Sequence, residues 1–138
     1  MNAPLYTTDI LRLAASLEAP HALSREDARA ELRSPTCGSR IETAVALDGK
    51  GRVEALSQKV HACAFGQASA AILQGSAKGR SAEEIASKMK MLGEWLDGGD
   101  APGWPELAAL APARSRKSRH GAILLPFRAL LAAIDASK

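Results

Sequence analysis

The two cysteines and one of the three histidines are the residues whose types could bind a metal ion or carry a reactive sulfur: Cys37, Cys63 and His120. Thiolate and imidazole groups are common ligands of iron and zinc, and a thiolate is also a nucleophile. Each residue has a simpler interpretation as well, as a turn residue, a small packing residue or part of an exposed loop. Spacing alone leaves both interpretations open, because CxxC and HxxxH patterns are absent.

The neighbours of each candidate place it at a predicted junction between elements. Cys37 lies in a turn between Pro35 and Gly38, and the glycine lets a ligand approach the main chain closely. Cys63 lies where a strand should end and an alanine-rich helix begin, and the free N–H groups of a helix start favour thiolate over thiol. His120 precedes the last predicted helix. These three junctions are compatible with one shared site.

Alternating hydrophobic residues predict a small antiparallel sheet that positions the cysteines. Every second residue of segment 41–47 suits the core, with Ala44 and Ala46 on the other side, as in a half-buried strand. Residues 48–51 (DGKG) form a strong hairpin signal. A returning strand over 52–61 and a weaker upstream strand near 28–34 complete a three-stranded meander.

The segments flanking the sheet have helical patterns. Residues 5–17 predict a first helix with a capping side chain at 7–9. Residues 64–74 predict an alanine-rich helix that packs closely against the sheet, with Gly75 placed to end it.

The second half of the chain contains further helix signals. Ser81 and Glu84 form a capping box. A stripe at helical spacing follows and is predicted to be core: Ile85, Met89, Leu92 and Leu96. After a loop over 97–103, residues 104–110 predict a short helix. The last helix should begin within 121–126 and bury a set of large hydrophobic residues: Ile123, Phe127, Leu130, Leu131 and Ile134.

Length and composition indicate one domain, residues 1–138, of the α+β class: a small three-stranded antiparallel sheet packed against several helices. Hydrophobic residues make up 46% of the chain, enough for a core. No apolar run approaches the ~20 residues that span a bilayer, and residues 1–4 do not resemble a secretory signal. We therefore expect a cytoplasmic protein, in which a structural disulfide is disfavoured.

The net charge of +3 is concentrated in one basic segment, residues 114–120. It lacks the interleaved aromatic residues that stack on bases, so a solvated connector is expected and nucleic-acid binding is disfavoured. No hydrolytic triad is present, and residues 49–51 lack the spacing of a phosphate-binding loop.

Four segments resemble the U-type iron–sulfur cluster assembly scaffold proteins, the IscU, SufU and NifU N-terminal family. Residues 34–41 (SPTCGSRI) are similar to the family segment N-P-x-C-G-D-x-[IL], and residues 63–70 (CAFGQASA) to C-[AG]-x-[AS]-x-A-S-[AS]. Residues 119–124 (RHGAIL) resemble the third segment, in which a His or Lys precedes a Cys. Residues 5–11 resemble the N-terminal helix. The resemblance covers almost the whole chain in order.

The resemblance implies that Cys37 and Cys63 are two cluster-ligating cysteines and that His120 is the histidine beside the third. Two positions depart from the family pattern. Ser39 stands where an aspartate is usual, and Gly121 where the third cysteine is expected. Because an Fe–S cluster usually has four protein ligands, two thiolates and one imidazole leave a position open.

The implied function is that of a scaffold or carrier rather than an enzyme. Its cargo would be iron or a labile iron–sulfur cluster of the [2Fe–2S] type, with zinc as the alternative metal. Its expected partners are a cysteine desulfurase and recipient apo-proteins, with Cys63 as the sulfur acceptor. Two alternatives remain: an interaction or regulatory module without a cluster, and a zinc-dependent sulfur acceptor. The oligomeric state is not predicted.

Overall fold

The chain folds into a three-stranded antiparallel sheet and a set of helices packed with it. A computed structural model describes residues 6–35, 38–100 and 104–138. The elements in chain order are α1 (Thr8–Ala15), β1 (Ala28–Arg33), β2 (Arg40–Leu47), β3 (Val53–His61), α2 (Ala64–Ser76), α3 (Ala82–Leu96), a long 3₁₀ helix (Pro105–Ala113), a short one (Lys117–Arg119) and α4 (His120–Ala136).

The sheet is the predicted meander, with strand order β1-β2-β3. At the hairpin between β2 and β3, the Asp48 carboxylate accepts hydrogen bonds from the N–H groups of Lys50 and Arg52, each 2.9 Å long. These bonds, that from Arg52 first, lower the pKa of Asp48. Gly51 has φ +77°, which glycine adopts without strain. The DGKG turn thus fixes the register that aligns the other ends of the strands.

Strand β2 is more buried than its alternation predicts. Ala44 and Ala46 lie on the face opposite Ile41, yet both are buried. Residues 20–22 lie beside that outer face, where the His21 N–H donates to Ser57 Oγ at 2.9 Å. The prediction of a half-buried strand was therefore wrong at the hairpin end, because a connecting segment covers the sheet there.

Helices α2 and α4 contribute five of the nine buried alanines in the described part of the chain. Helix α4 packs on β1 and β2, where Leu125 and Ala129 meet Ile41. Helix α2 lies chiefly against α1 and α4, and reaches the sheet where Gln58 Nε2 donates to the Ala70 carbonyl at 3.0 Å. The predicted close packing of α2 on the sheet is corrected accordingly, since α4 holds that place.

Several predicted boundaries move. Helix α1 is shorter than 5–17, and Leu5 lies outside the described residues. Helix α2 continues through Gly75 to Ser76, since the left-handed residue after it is Gly79, with φ +84°. The segment predicted as 104–110 is a 3₁₀ helix that runs on to Ala113. Helix α4 begins at His120, and its Pro126 lies inside the helix.

The capping box that starts α3 is present as predicted. Ser81 Oγ accepts from the Glu84 N–H, and the Glu84 carboxylate accepts from the Ser81 N–H. That backbone bond, with further bonds from Arg52 and Arg80, lowers the pKa of Glu84 from 4.5 to about 2. The stripe behind the box is core: Ile85, Leu92 and Leu96 are buried, and Met89 packs against them.

The capping box predicts an acid-sensitive step in stability. A carboxyl whose pKa is lowered by folding stabilises the fold above its unfolded pKa, and that stabilisation is lost as the pH falls from about 4.5 to about 2. Glu84→Gln should therefore flatten the loss of stability in this pH window, as measured by urea unfolding. Glu83→Gln is the control, since Glu83 forms no ion pair among the described residues. Equal acid sensitivity of both variants would contradict the assignment.

No helix within the described ranges is long and apolar enough to cross a membrane.

Candidate functional site

Cys63 lies at the start of α2, as the sequence predicts. It is the N-cap residue, with extended backbone dihedrals (φ −66°, ψ 173°), and its half-buried side chain makes no capping hydrogen bond. The neighbouring main chain is satisfied in other ways: the Gln67 N–H donates to the Cys63 carbonyl, and Gln67 Nε2 to the Ala62 carbonyl, both at 3.0 Å. The thiol is thus held in place by its backbone and is not used by the helix cap.

The loop between β1 and β2 is closed at its base. The Ser34 N–H donates to the Ser39 carbonyl at 2.8 Å, and the Gly38 N–H donates to the Ser34 carbonyl at 3.2 Å. Gly38 has φ +71°, which explains the glycine after the cysteine. Ser39, at the family's aspartate position, is buried with 4% exposure. Cys37 itself lies outside the described residues, so its predicted role stays a prediction.

The first turns of α2 and α4 are in direct contact, which brings the chain around Cys63 close to the chain after His120. A Cβ on Gly66 would lie 3.3 Å from the Ala122 carbonyl oxygen. That carbonyl has no partner further along α4, because Pro126 lacks the N–H that would bond to it.

A buried hydrogen bond joins the two helices one turn further along. Ser69, 1% exposed, donates from Oγ to the Ile123 carbonyl at 2.5 Å. Gly66 and Ser69 belong to the segment 63–70, and the sequence alone assigns them no role. In the structure they supply the close approach and the polar link that hold the first turns of α2 and α4 together.

His120 is the first residue of α4, and its ring is directed to the end of the long 3₁₀ helix. Nε2 lies 2.9 Å from the Ala113 carbonyl and 3.2 Å from the Arg114 carbonyl. Because carbonyl oxygens only accept, Nε2 carries a proton. Nδ1 lies 3.7 Å from an Asp97 carboxylate oxygen at the end of α3. The ring therefore joins three segments, with Nε2 as a donor to the carbonyls and Nδ1 facing the Asp97 carboxylate.

Arg114 belongs to the basic segment but is not part of a solvated connector. Its Nε donates to the Trp95 carbonyl and its Nη2 to the Gly99 carbonyl, each at 2.9 Å. The guanidinium carbon lies 5.1 Å from the centre of the Trp95 ring. Arg116 and Lys117 are exposed, as a connector requires. The expectation was wrong for Arg114, which holds the end of α3, with Asp97, near His120.

The described residues bring together only part of the predicted ligand set. Within residues 6–35, 38–100 and 104–138, no three His, Cys, Asp or Glu side chains lie close enough to hold one metal ion. Cys63 and His120 lie at the starts of two contacting helices, but the ring of His120 contacts Ala113, Arg114 and Asp97. The predicted ligand set of Cys37, Cys63 and His120 therefore stays a prediction.

Solved structures with this architecture include a NifU-like protein and a protein of the SUF system. The chain is 30% identical to a nitrogen-fixing NifU-like protein (N-terminal) from Brucella abortus, covering 95% of this chain and 92% of that one with a TM-score of 0.85. A putative iron–sulfur cluster assembly scaffold protein for the SUF system from Fervidobacterium islandicum AW-1 shares the fold at 19% identity, covering 94% and 96% with a TM-score of 0.80.

Comparisons at the sequence level gave nothing further: neither the family models nor the curated proteins include a match. The fold is that of the N-terminal domain of NifU-like scaffold proteins, as the resemblance predicts. At the observed identity and coverage, the chain belongs to the family of NifU-like N-terminal proteins.

Proposed function

We propose that the protein is a scaffold or carrier that holds iron or a labile iron–sulfur cluster as cargo and passes it on. Membership of the NifU-like family supports a scaffold role. The observation that carries the proposal is the position of Cys63, whose half-buried thiol caps nothing. The Cys63 side chain packs half-buried against the hydrophobic core but makes no capping hydrogen bond, so its sulfur is not used by the helix start. Cys37 and Cys63 would be the thiolate ligands of the cargo.

His120 is the proposed third ligand. A metal-bound histidine commonly donates its second ring N–H to a carbonyl, which fixes the ring. Nε2 of His120 already donates to the Ala113 carbonyl, so metal binding falls to Nδ1. With glycine at position 121 and serine at position 39, the fourth position is left to solvent, a small thiol or a residue of the recipient. Such a cargo would be held weakly, which favours its transfer.

Sulfur would arrive from a cysteine desulfurase as a persulfide. The Cys63 thiolate attacks the outer sulfur, a new S–S bond forms at Cys63, and the desulfurase cysteine leaves as a thiolate. The exchange needs no external oxidant or reductant. Reduction of this sulfur to sulfide, for which a thiol or another electron donor is needed, then allows assembly with iron. Holding and transferring a product in this way makes the protein a scaffold and not an enzyme.

One observation favours a second candidate, an interaction module of the same family. The ring of His120 is already engaged with Ala113, Arg114 and Asp97, so its place in the fold is explained without a metal. Such a module would bind assembly factors and carry no cluster. A zinc-dependent sulfur acceptor, with two thiolates and one imidazole, is the third alternative.

A transfer experiment separates the scaffold from the interaction module. Protein loaded with iron and sulfide without oxygen is mixed with an apo-protein that accepts a [2Fe–2S] cluster, and the cluster is followed by absorption and circular dichroism. A scaffold loses its iron and sulfide to the acceptor in equal amounts. An interaction module transfers no more than free iron and sulfide do.

His120→Ala is expected to lower the retention of iron several-fold, because one of three protein ligands is lost. The measurement is the rate at which a chelator removes iron from the loaded protein. His21→Ala is the control, since His21 is exposed and contacts the sheet through its backbone N–H. If both variants retained iron equally well, His120 would have a structural role only. Thermal unfolding of the metal-free variants monitors the hydrogen bond to Ala113, which contributes about 1 kcal/mol.

A further inference from the structure

All three strands have a basic residue at the end of the sheet opposite the β2–β3 hairpin. These three residues lie side by side across the strands. Arg33 of β1 pairs with Arg40 of β2, and Arg40 pairs with His61 of β3. We call these three residues the basic row. Arg33 and His61 are exposed and Arg40 is half-buried, all on the face opposite the buried Ile41.

The fold compensates the charges of the two arginines poorly. Arg33 is joined to Glu31 at 3.5 Å, but their side chains are 69% and 42% exposed, so the pair is weak. Among the described residues, Arg40 and His61 form no ion pair. Like charges that are directly opposite across two strands are destabilising. The Arg33–Arg40 pair is therefore an electrostatically unfavourable feature of the sheet.

The row lies beside both cysteine-bearing segments. Arg33 and Arg40 immediately flank the loop 34–39, whose base is closed by the bond between the Ser34 N–H and the Ser39 carbonyl. His61 precedes Cys63 by two residues. The basic row is therefore adjacent along the chain to both segments.

We propose that the basic row is a docking surface for an acidic segment of a partner protein. Three strands place the row across about 10 Å, the width of two strand spacings, which matches two or three carboxylates on neighbouring turns of a helix. The proposal goes beyond the scaffold function and does not depend on a bound cluster, because the row exists in the metal-free protein.

The neighbouring residues favour protein over nucleic acid as the occupant. The next row on the same face contains Glu31, Glu42 and Lys59, so two carboxylates outnumber one ammonium group where a phosphate backbone would continue past the basic row. The outer faces of β1, β2 and β3 carry no Phe, Tyr or Trp on which bases could stack. A short acidic peptide avoids both restrictions.

The test measures binding of a short fluorescein-labelled peptide of Glu and Asp to the metal-free protein by fluorescence anisotropy. Arg33→Gln/Arg40→Gln should raise the Kd about tenfold, as expected for the loss of two ionic contacts. The control is Arg116→Gln/Arg128→Gln, which removes the same charge from an exposed connector and from the solvent side of α4. This control should change the Kd less than about twofold.

Equal losses in the two double variants would overturn the proposal, since they would reflect net charge alone. The proposal would also be overturned if an oligothymidine probe bound more tightly than the peptide and lost affinity in the Arg116→Gln/Arg128→Gln variant. That result would assign nucleic-acid binding to the connector.

A stability measurement gives an independent readout. Arg40→Gln should raise the midpoint of thermal unfolding by about 1–4 °C at low ionic strength, and the gain should vanish in concentrated salt. A lower midpoint at low salt would show that Arg40 is held by partners within the fold and is not free for docking. Failure of these tests leaves the scaffold proposal intact, because iron and sulfide play no part in them.

Discussion

Gly66→Ala should lower the free energy of unfolding by about 1–3 kcal/mol, although alanine is the better helix former. A Cβ at position 66 would lie 2.7 Å from the Cβ of Ala62 and 3.3 Å from the Ala122 carbonyl oxygen. Neither atom belongs to a flexible side chain, so Ala62 and the first turn of α2 have to shift, with Ala62 as the closer contact. The same movement shifts Cys63, so retention of a loaded cluster should fall with stability.

Gly75→Ala is the matched control in the same helix. A Cβ there meets nothing within 4 Å, so the substitution should stabilise by about 0.5–1 kcal/mol through helix propensity alone. Urea unfolding of both variants, followed by circular dichroism, gives the comparison. If both variants were more stable than the unsubstituted protein by similar amounts, the close packing around Gly66 would be contradicted.

Cys63→Ser should abolish persulfide loading from a cysteine desulfurase and reduce the iron and sulfide of reconstituted protein to background. A serine hydroxyl is neither a comparable nucleophile nor a good iron ligand, whereas the fold should tolerate it. The Cys63 side chain makes no capping bond but packs half-buried against the core, so the gain of a serine cap and the loss of packing oppose each other and stability should change by less than about 1 kcal/mol. Loss of loading with an intact melting curve therefore isolates the chemistry of the thiol.

Cys37→Ser is the companion variant for this prediction. If Cys63 is the acceptor, Cys37→Ser keeps persulfide loading, as measured by mass spectrometry of the alkylated protein, but loses the iron. Persulfide found at unchanged yield on Cys63→Ser would remove the acceptor role from Cys63.

Local sequence signals correctly predicted the strands, the turn and the helix start that surround the site. Alternation around Ile41, the DGKG turn and the Ser81–Glu84 capping box each reflect a short-range rule, and each element is present. The predicted junctions at Cys63 and His120 are confirmed, because the end of one element and the start of the next are both encoded by adjacent residues.

Features that depend on contacts between distant segments could not be read from the sequence. Arg114 lies in a basic stretch, and nothing near it in sequence indicates that it binds the Trp95 and Gly99 carbonyls. The burial of Ala44 depends on a connecting segment that crosses the sheet. The ring direction of His120 is set by the carbonyls of Ala113 and Arg114, which follow from the path of the 3₁₀ helix.

The basic row illustrates the same limit. Arg33, Arg40 and His61 are scattered in sequence, and only the strand register places them side by side. Gly66 and Ser69 were found through a motif, but their contacts with Ala122 and Ile123 explain why those residue types are needed.

The central claim is tested most directly by the iron and acid-labile sulfide content of protein purified and reconstituted without oxygen, together with its absorption spectrum. We expect iron and sulfide in equal amounts, with visible absorption of an iron–sulfur cluster, and the loss of both in Cys37→Ser and in Cys63→Ser. Protein that retains neither iron nor sulfide, or that binds zinc without sulfide, would contradict the claim that it carries a cluster.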